Sequence, residues 1–161
     1  MPRIALATLT SGMEFVARTG SNHEIRMDAL EKSGGSDNGP RPAELPFVGL
    51  AGCTGMDVIS ILRKMRQEPV TFQVEVEGVE RTEEHPKYWK SIRVIFTVTG
   101  EVEPAKLQKA IDLSRTRYCG VSVSLRPAID IQYVYILNNS ETVMDPAQVT
   151  ASGEGEKKLA V

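Results

Sequence analysis

PAELPFVGLAGCTGMDVISILRKM, residues 42–65, reads as the greater part of one long helix running from about Ala43 to Arg66. Pro46 falls near the first turn, where a missing N–H is tolerated. Arg63, Lys64 and Arg66 crowd the far end, where positive charge complements the helix dipole, and Pro69 stops the pattern. Between these ends the helix is apolar nearly all round: Leu45, Phe47, Val48, Leu50, Met56, Val58, Ile59, Ile61 and Leu62. A helix with apolar residues on every side is buried on most sides, so a central position is expected. Gly49, Gly52 and Gly55 recur three apart, each costing about 1 kcal/mol against alanine in a helix interior. Close approach of a second backbone offsets that cost better than mere tolerance of poor helix formers does.

Working outward, residues 2–9 and 13–18 read as short strands joined at Ser11 and Gly12, and residues 23–28 as a third. Residues 32–42 (KSGGSDNGPRP) have loop composition without a phosphate-binding glycine pattern. After the helix, Phe72, Val74 and Val76 alternate with Gln73, Glu75 and Glu77, and Gly78 marks a bulge. Ile92, Val94, Phe96 and Val98 form the partner strand of a long-looped hairpin. Residues 104–119 return to helical spacing, and residues 129–137 make a last strand with Ile129, Ile131, Tyr133 and Tyr135 on one face. The order β-β-β-α-β-β-α-β implies an α+β protein with antiparallel sheets. Residues 1–137 are expected to form a single domain, and the polar residues 138–161 a loosely held tail. One small sheet gives the central helix too little cover, which points to an oligomer.

The 161 residues carry a net charge of −2 with lysine and arginine scattered, so a nucleic-acid surface is not expected. No run approaches the roughly 18 uninterrupted apolar residues of a membrane span, and MPRIALATLT lacks the form of a secretory signal. A cytoplasmic location follows as the expectation, with thiols held reduced and no cofactor or metal implied.

Two cysteines carry the candidate chemistry, Cys53 within the long helix and Cys119 after the second helical pattern. A thiol is the one strong nucleophile here that works without a metal or a histidine base. His23 and His85 lie in unrelated segments, and CxxC, HExxH and GxSxG are missing from the sequence. A buried cysteine often serves only as a small hydrophobe. Against that, glycines on both sides leave room beside Cys53 for a ligand or a second chain. Asp57, one turn on, would disfavour a thiolate unless a cation stood nearby. Glu44, at the start of the helix, reads on spacing alone as a first-turn acid. Cys119 would be the resolving thiol, or a packed helix-end residue.

PAELPFVGLAGC, RYCGVS and HPKYWKSIRVIFTVTG together resemble the OsmC/Ohr family, in the same order and over roughly residues 10–137. The resemblance is to the OsmC-like branch. It implies an intertwined homodimer around two central helices, with thiol peroxidase sites at the interface that reduce organic hydroperoxides. By that likeness Cys53 is the peroxidatic and Cys119 the resolving cysteine, and Glu44 holds an activating arginine, for which Arg18 is the nearest candidate and Arg26 the second. Gly120 stands where the family has proline, and the Glu44–Cys53 spacing is one residue short. The expected cycle runs through a Cys53 sulfenate and a Cys53–Cys119 disulfide that an external dithiol reopens. The alternatives are a non-catalytic module whose cavity holds a small apolar ligand, or a stress-related dimer with a structural or regulatory role and no peroxidase activity.

Overall fold

The computed structural model describes residues 4–145, which divide into two compact units at Pro46/Phe47. The first holds an antiparallel sheet in the order β1-β2-β3: β1 (Ala5–Ser11), β2 (Glu14–Thr19) and β3 (Glu24–Met27). Gly12 takes φ 50° in the β1–β2 turn, a conformation open to residues without a Cβ. The following loop is organised by buried Asp28, whose carboxylate accepts the backbone N–H groups of Ala29, Ser36 and Asn38. Those bonds, led by Ser36 and Asn38, hold its pKa below the ordinary value. The loop is a structural element with its own acceptor.

The second unit contains nearly all of α1 (Leu45–Lys64) and a four-stranded sheet in the order β4-β5-β6-β7. These strands are β4 (Thr71–Arg81), β5 (Trp89–Thr99), β6 (Asp130–Leu137) and β7 (Ser140–Val143). Between β5 and β6 run α2 (Pro104–Leu113), a π-helical turn over Ser114–Tyr118, and α3 (Gly120–Leu125). The alternation seen in the sequence becomes register: Val74 faces Phe96 across β4–β5, and Phe96 faces Tyr135 across β5–β6. Ile92, Val94, Phe96 and Val98 are buried in one cluster with Leu107, Ala110 and Ile111 of α2 and with Leu50, Val58 and Leu62 of α1. The pairing of β4 with β5 slips after Gly78, as the bulge expectation required.

The structure departs from the sequence reading in the sheet, the second helix and the tail, and again in the cover of the long helix. β5 and β6 run parallel within an otherwise antiparallel sheet, which the helical crossover permits. The second helix ends at Leu113, and the chain widens into the π-helical turn before Cys119. Residues assigned to a tail from Asn138 onward instead begin with a hairpin: Asn138 and Asn139 both adopt positive φ, and β7 pairs back onto β6. The rest of that tail, residues 146–161, lies outside the described residues.

The long helix is buried along one stripe only. Leu50, Thr54, Val58 and Leu62 recur every four residues and are fully covered. Val48 is 62% and Met56 73% exposed, and a Cβ built at Gly49 or Gly52 would meet nothing within 4 Å among the described residues. Of the three glycines, Gly55 alone packs closely, against Val74 and Phe72. This is also the one described helix long and apolar enough to cross a membrane by length and composition, and its covered stripe serves the core instead.

Candidate functional site

The two thiols meet. Cys53 and Asp57 are one helical turn apart on α1 and so project from neighbouring positions of the same face. Cys119 arrives from the other side as the N-cap residue of α3. The sulfurs of Cys53 and Cys119 and a carboxylate oxygen of Asp57 all lie within 4.8 Å of one another. Both cysteines are free thiols, Cys119 wholly buried and Cys53 partly exposed. The approachable sulfur is therefore Cys53, with Cys119 behind it.

Local structure explains where Cys119 points. The π-helical turn carries a hydrogen bond from the Cys119 N–H to the Ser114 carbonyl at 2.9 Å, five residues back. The chain then restarts as α3, and the Ser122 N–H donates to Cys119 Sγ at 3.4 Å, the bond of a helix cap made with sulfur in place of oxygen. Ser114 Oγ donates to Asp57 Oδ2 at 3.0 Å, tying the same turn to α1. Ser122 Oγ and Tyr133 OH are 2.7 Å apart, both buried. Burial, and secondly the neighbouring Cys53 thiol, push the Cys119 pKa up to about 11. Cys119 rests as a thiol.

A cavity of about 450 Å³ lies on the Ser122–Tyr133 side and is lined among others by Arg115, Arg126 and Gln132. Neither cysteine lines it. Arg115 is buried in its wall, paired with Asp112 at 2.6 Å and stacked on the Tyr133 ring.

Arg18 and Glu44 belong to the first unit. The Arg18 guanidinium, on the central strand β2, is bonded to Glu24 at 2.6 Å and to Asn22 at 3.0 Å on the exposed surface of the three-stranded sheet. Arg26 pairs with Glu14, whose carboxyl is held below its ordinary pKa by Thr10 first and by Arg26 next. The Glu44 carboxylate accepts the Arg41 backbone N–H at 3.0 Å, which is its first-turn role at the helix entry. Ser114 and Ser122 escaped the sequence reading, and Tyr133 was read only as a strand residue. Two serines in helical segments and a tyrosine in a strand carry no spacing signal of their own, and only the fold gathers them around Cys119.

The family model described as OsmC-like protein matches residues 34–134, a span that includes both cysteines. Protein YhfA of Escherichia coli K12 is 38% identical over 125 residues, covering 77% of this chain and 90% of that protein. Among solved structures, a hypothetical protein from Aquifex aeolicus VF5 superposes with a TM-score of 0.72 at 29% identity, over 84% of this chain and 96% of that one. An organic hydroperoxide resistance protein OsmC from Legionella pneumophila shares the fold at a TM-score of 0.61 and 16% identity, over 84% and 96% of the two chains.

Proposed function

We propose that this chain, which belongs to the OsmC-like protein family, is a cysteine-based peroxidase that reduces organic hydroperoxides. The observation that carries the reading is the convergence of the only two cysteines, one partly exposed and one buried behind it, with sulfurs within 4.8 Å. The Cys53 thiolate attacks the distal hydroperoxide oxygen. The O–O bond breaks, the alkoxide takes a proton and leaves as alcohol, and Cys53 becomes a sulfenic acid. Cys119 then attacks that sulfur, water leaves, and the S–S bond forms. An external dithiol restores both thiols.

Burial of Cys119 suits the order of events, because a protonated inner thiol does not compete for the oxidant. The activating cation in this reading is Arg18, with Glu44 as the carboxylate that orients it. Arg18 is bonded to Glu24 and Asn22, so the role requires it to leave that pair. The substrate class follows the family: the Legionella fold relative is described as an organic hydroperoxide resistance protein. The reading also takes the working unit to be a homodimer and its location to be cytoplasmic.

The test is reduction of cumene or tert-butyl hydroperoxide with a dithiol reductant. Wild-type protein is expected to turn over, and Cys53→Ser to fall to background. Cys119→Ser should complete the first oxidation without forming the intramolecular disulfide, leaving the Cys53 sulfenic acid to be reduced by the dithiol directly. Equal, near-background rates in wild type and Cys53→Ser would remove the proposal. A ligand-binding role is the second reading, favoured by the 450 Å³ cavity whose lining omits both sulfurs. It predicts ligand affinity that survives Cys53→Ser.

A further inference from the structure

The reduced pair has a use that needs no oxidant. Two thiols and a carboxylate, each offering one ligand atom, converge from two elements to within 4.8 Å of one another. Sulfurs about 2.3 Å and a carboxylate oxygen about 2.1 Å from a shared tetrahedral ion stand about 3.6–3.8 Å apart, so a contraction of about an ångström closes the set around a cation. Small side-chain rotations supply such a shift. We propose that Cys53, Cys119 and Asp57 form a binding site for a thiophilic divalent cation of the zinc class, with the fourth position open to a solvent-derived ligand.

The chemistry of the donors selects the ion. Paired thiolates favour zinc and its softer neighbours over magnesium or calcium, which prefer all-oxygen cages. Two thiolates and one carboxylate more than offset a doubly charged ion, so the filled site is compensated without help from a protein cation. Each thiol gives its proton to solvent as its sulfur bonds the metal, and no electrons change hands.

The ligands are also held from behind, as metal ligands require. Ser114 Oγ donates to Asp57 Oδ2 at 3.0 Å, and the Ser122 N–H donates to Cys119 Sγ at 3.4 Å. Ser122 is fixed in turn by Tyr133 OH at 2.7 Å. Both supporting serines are buried. Asp57 thereby acquires a purpose that the peroxidase reading does not give it, since beside a reactive thiolate a carboxylate is a liability. Metal and disulfide use the same two sulfurs, so one state excludes the other. The metal site does not rest on the peroxidase reading.

The experiment uses the full chain, reduced, stripped of metal and kept from air. Cobalt(II) is titrated in as the probe. The expected result is a near-ultraviolet thiolate-to-cobalt charge-transfer band that saturates at one equivalent per chain and is bleached by zinc(II). Zinc affinity is then measured by competition with a chromophoric chelator. Asp57→Asn should retain the band and weaken zinc by more than about 10-fold. Cys53→Ser and Cys119→Ser should each lose most of it, with circular dichroism confirming that all three variants are folded. No saturating band, a band unchanged in either serine variant, or wild-type zinc affinity in Asp57→Asn would overturn the proposal. A hydroperoxide assay on the metal-free chain reads the other function separately, so either result can fail while the other stands.

Discussion

Cys119 is the residue whose surroundings say most about pH. It is wholly buried, and burial with the adjacent Cys53 thiol lifts it from an ordinary 9.0 to about 11. Once unfolded, the same thiol ionises at its ordinary value. Between about pH 9 and 11 the unfolded chain therefore binds fewer protons at this position than the folded one, and stability falls as pH rises. Below about pH 9 the contribution is fully present. In urea unfolding of the reduced protein from pH 8 to 11, the stability gap between wild type and Cys119→Ser should narrow as pH rises. A gap that stays constant would mean the thiol is not held neutral. At pH 7 the same shift makes Cys119 slow to alkylate, so iodoacetamide should label Cys53 first.

Among the elements, the β4–β5 hairpin offers the sharpest packing test. A Cβ placed on Gly78 would fall within the Trp89 ring, which crosses the strand where the ladder slips. Gly78→Ala must displace that ring, and overpacking of this kind costs about 1–3 kcal/mol. Trp89 is the only tryptophan, so its fluorescence reports the displacement while urea unfolding gives the loss. The bulge at Gly78 was legible because glycine interrupts a strict alternation, and the burial of Ile92 to Val98 was legible from period two. Strand direction was not. Alternation looks the same in parallel and antiparallel pairs, so β6 beside β5 needed the crossover to be placed. The β6–β7 hairpin did leave a signal in Asn138-Asn139, two residues that tolerate positive φ, but β7 is short and polar and resembles a tail. The approach of Cys119 to Cys53 could be asked of the sequence, and only the turn at Ser114–Tyr118 answers it, because a helix continued straight through that segment would aim the thiol elsewhere.

At the scale of the molecule, the unfinished feature is the outer face of α1. The sequence was right that this helix is apolar around most of its circumference, and the single chain covers only the Leu50–Thr54–Val58–Leu62 stripe. Val48 and Met56 stand exposed with Gly49 and Gly52 between them, and none of the described residues comes within 4 Å of a Cβ at either glycine. In a monomer, alanine at Gly52 would stabilise the helix by up to about 1 kcal/mol, since nothing opposes the added methyl. In a homodimer that brings two such faces together, the glycines are where the backbones approach, and a large side chain there holds them apart. Gly52→Leu and Met56→Asp are therefore expected to shift the protein from dimer to monomer in analytical ultracentrifugation. Both should leave the reduced chain folded, because neither position belongs to the buried stripe. If the wild type sediments as a monomer at all concentrations, and Gly52→Ala simply raises its melting temperature, the exposed face is surface and the homodimer reading is lost.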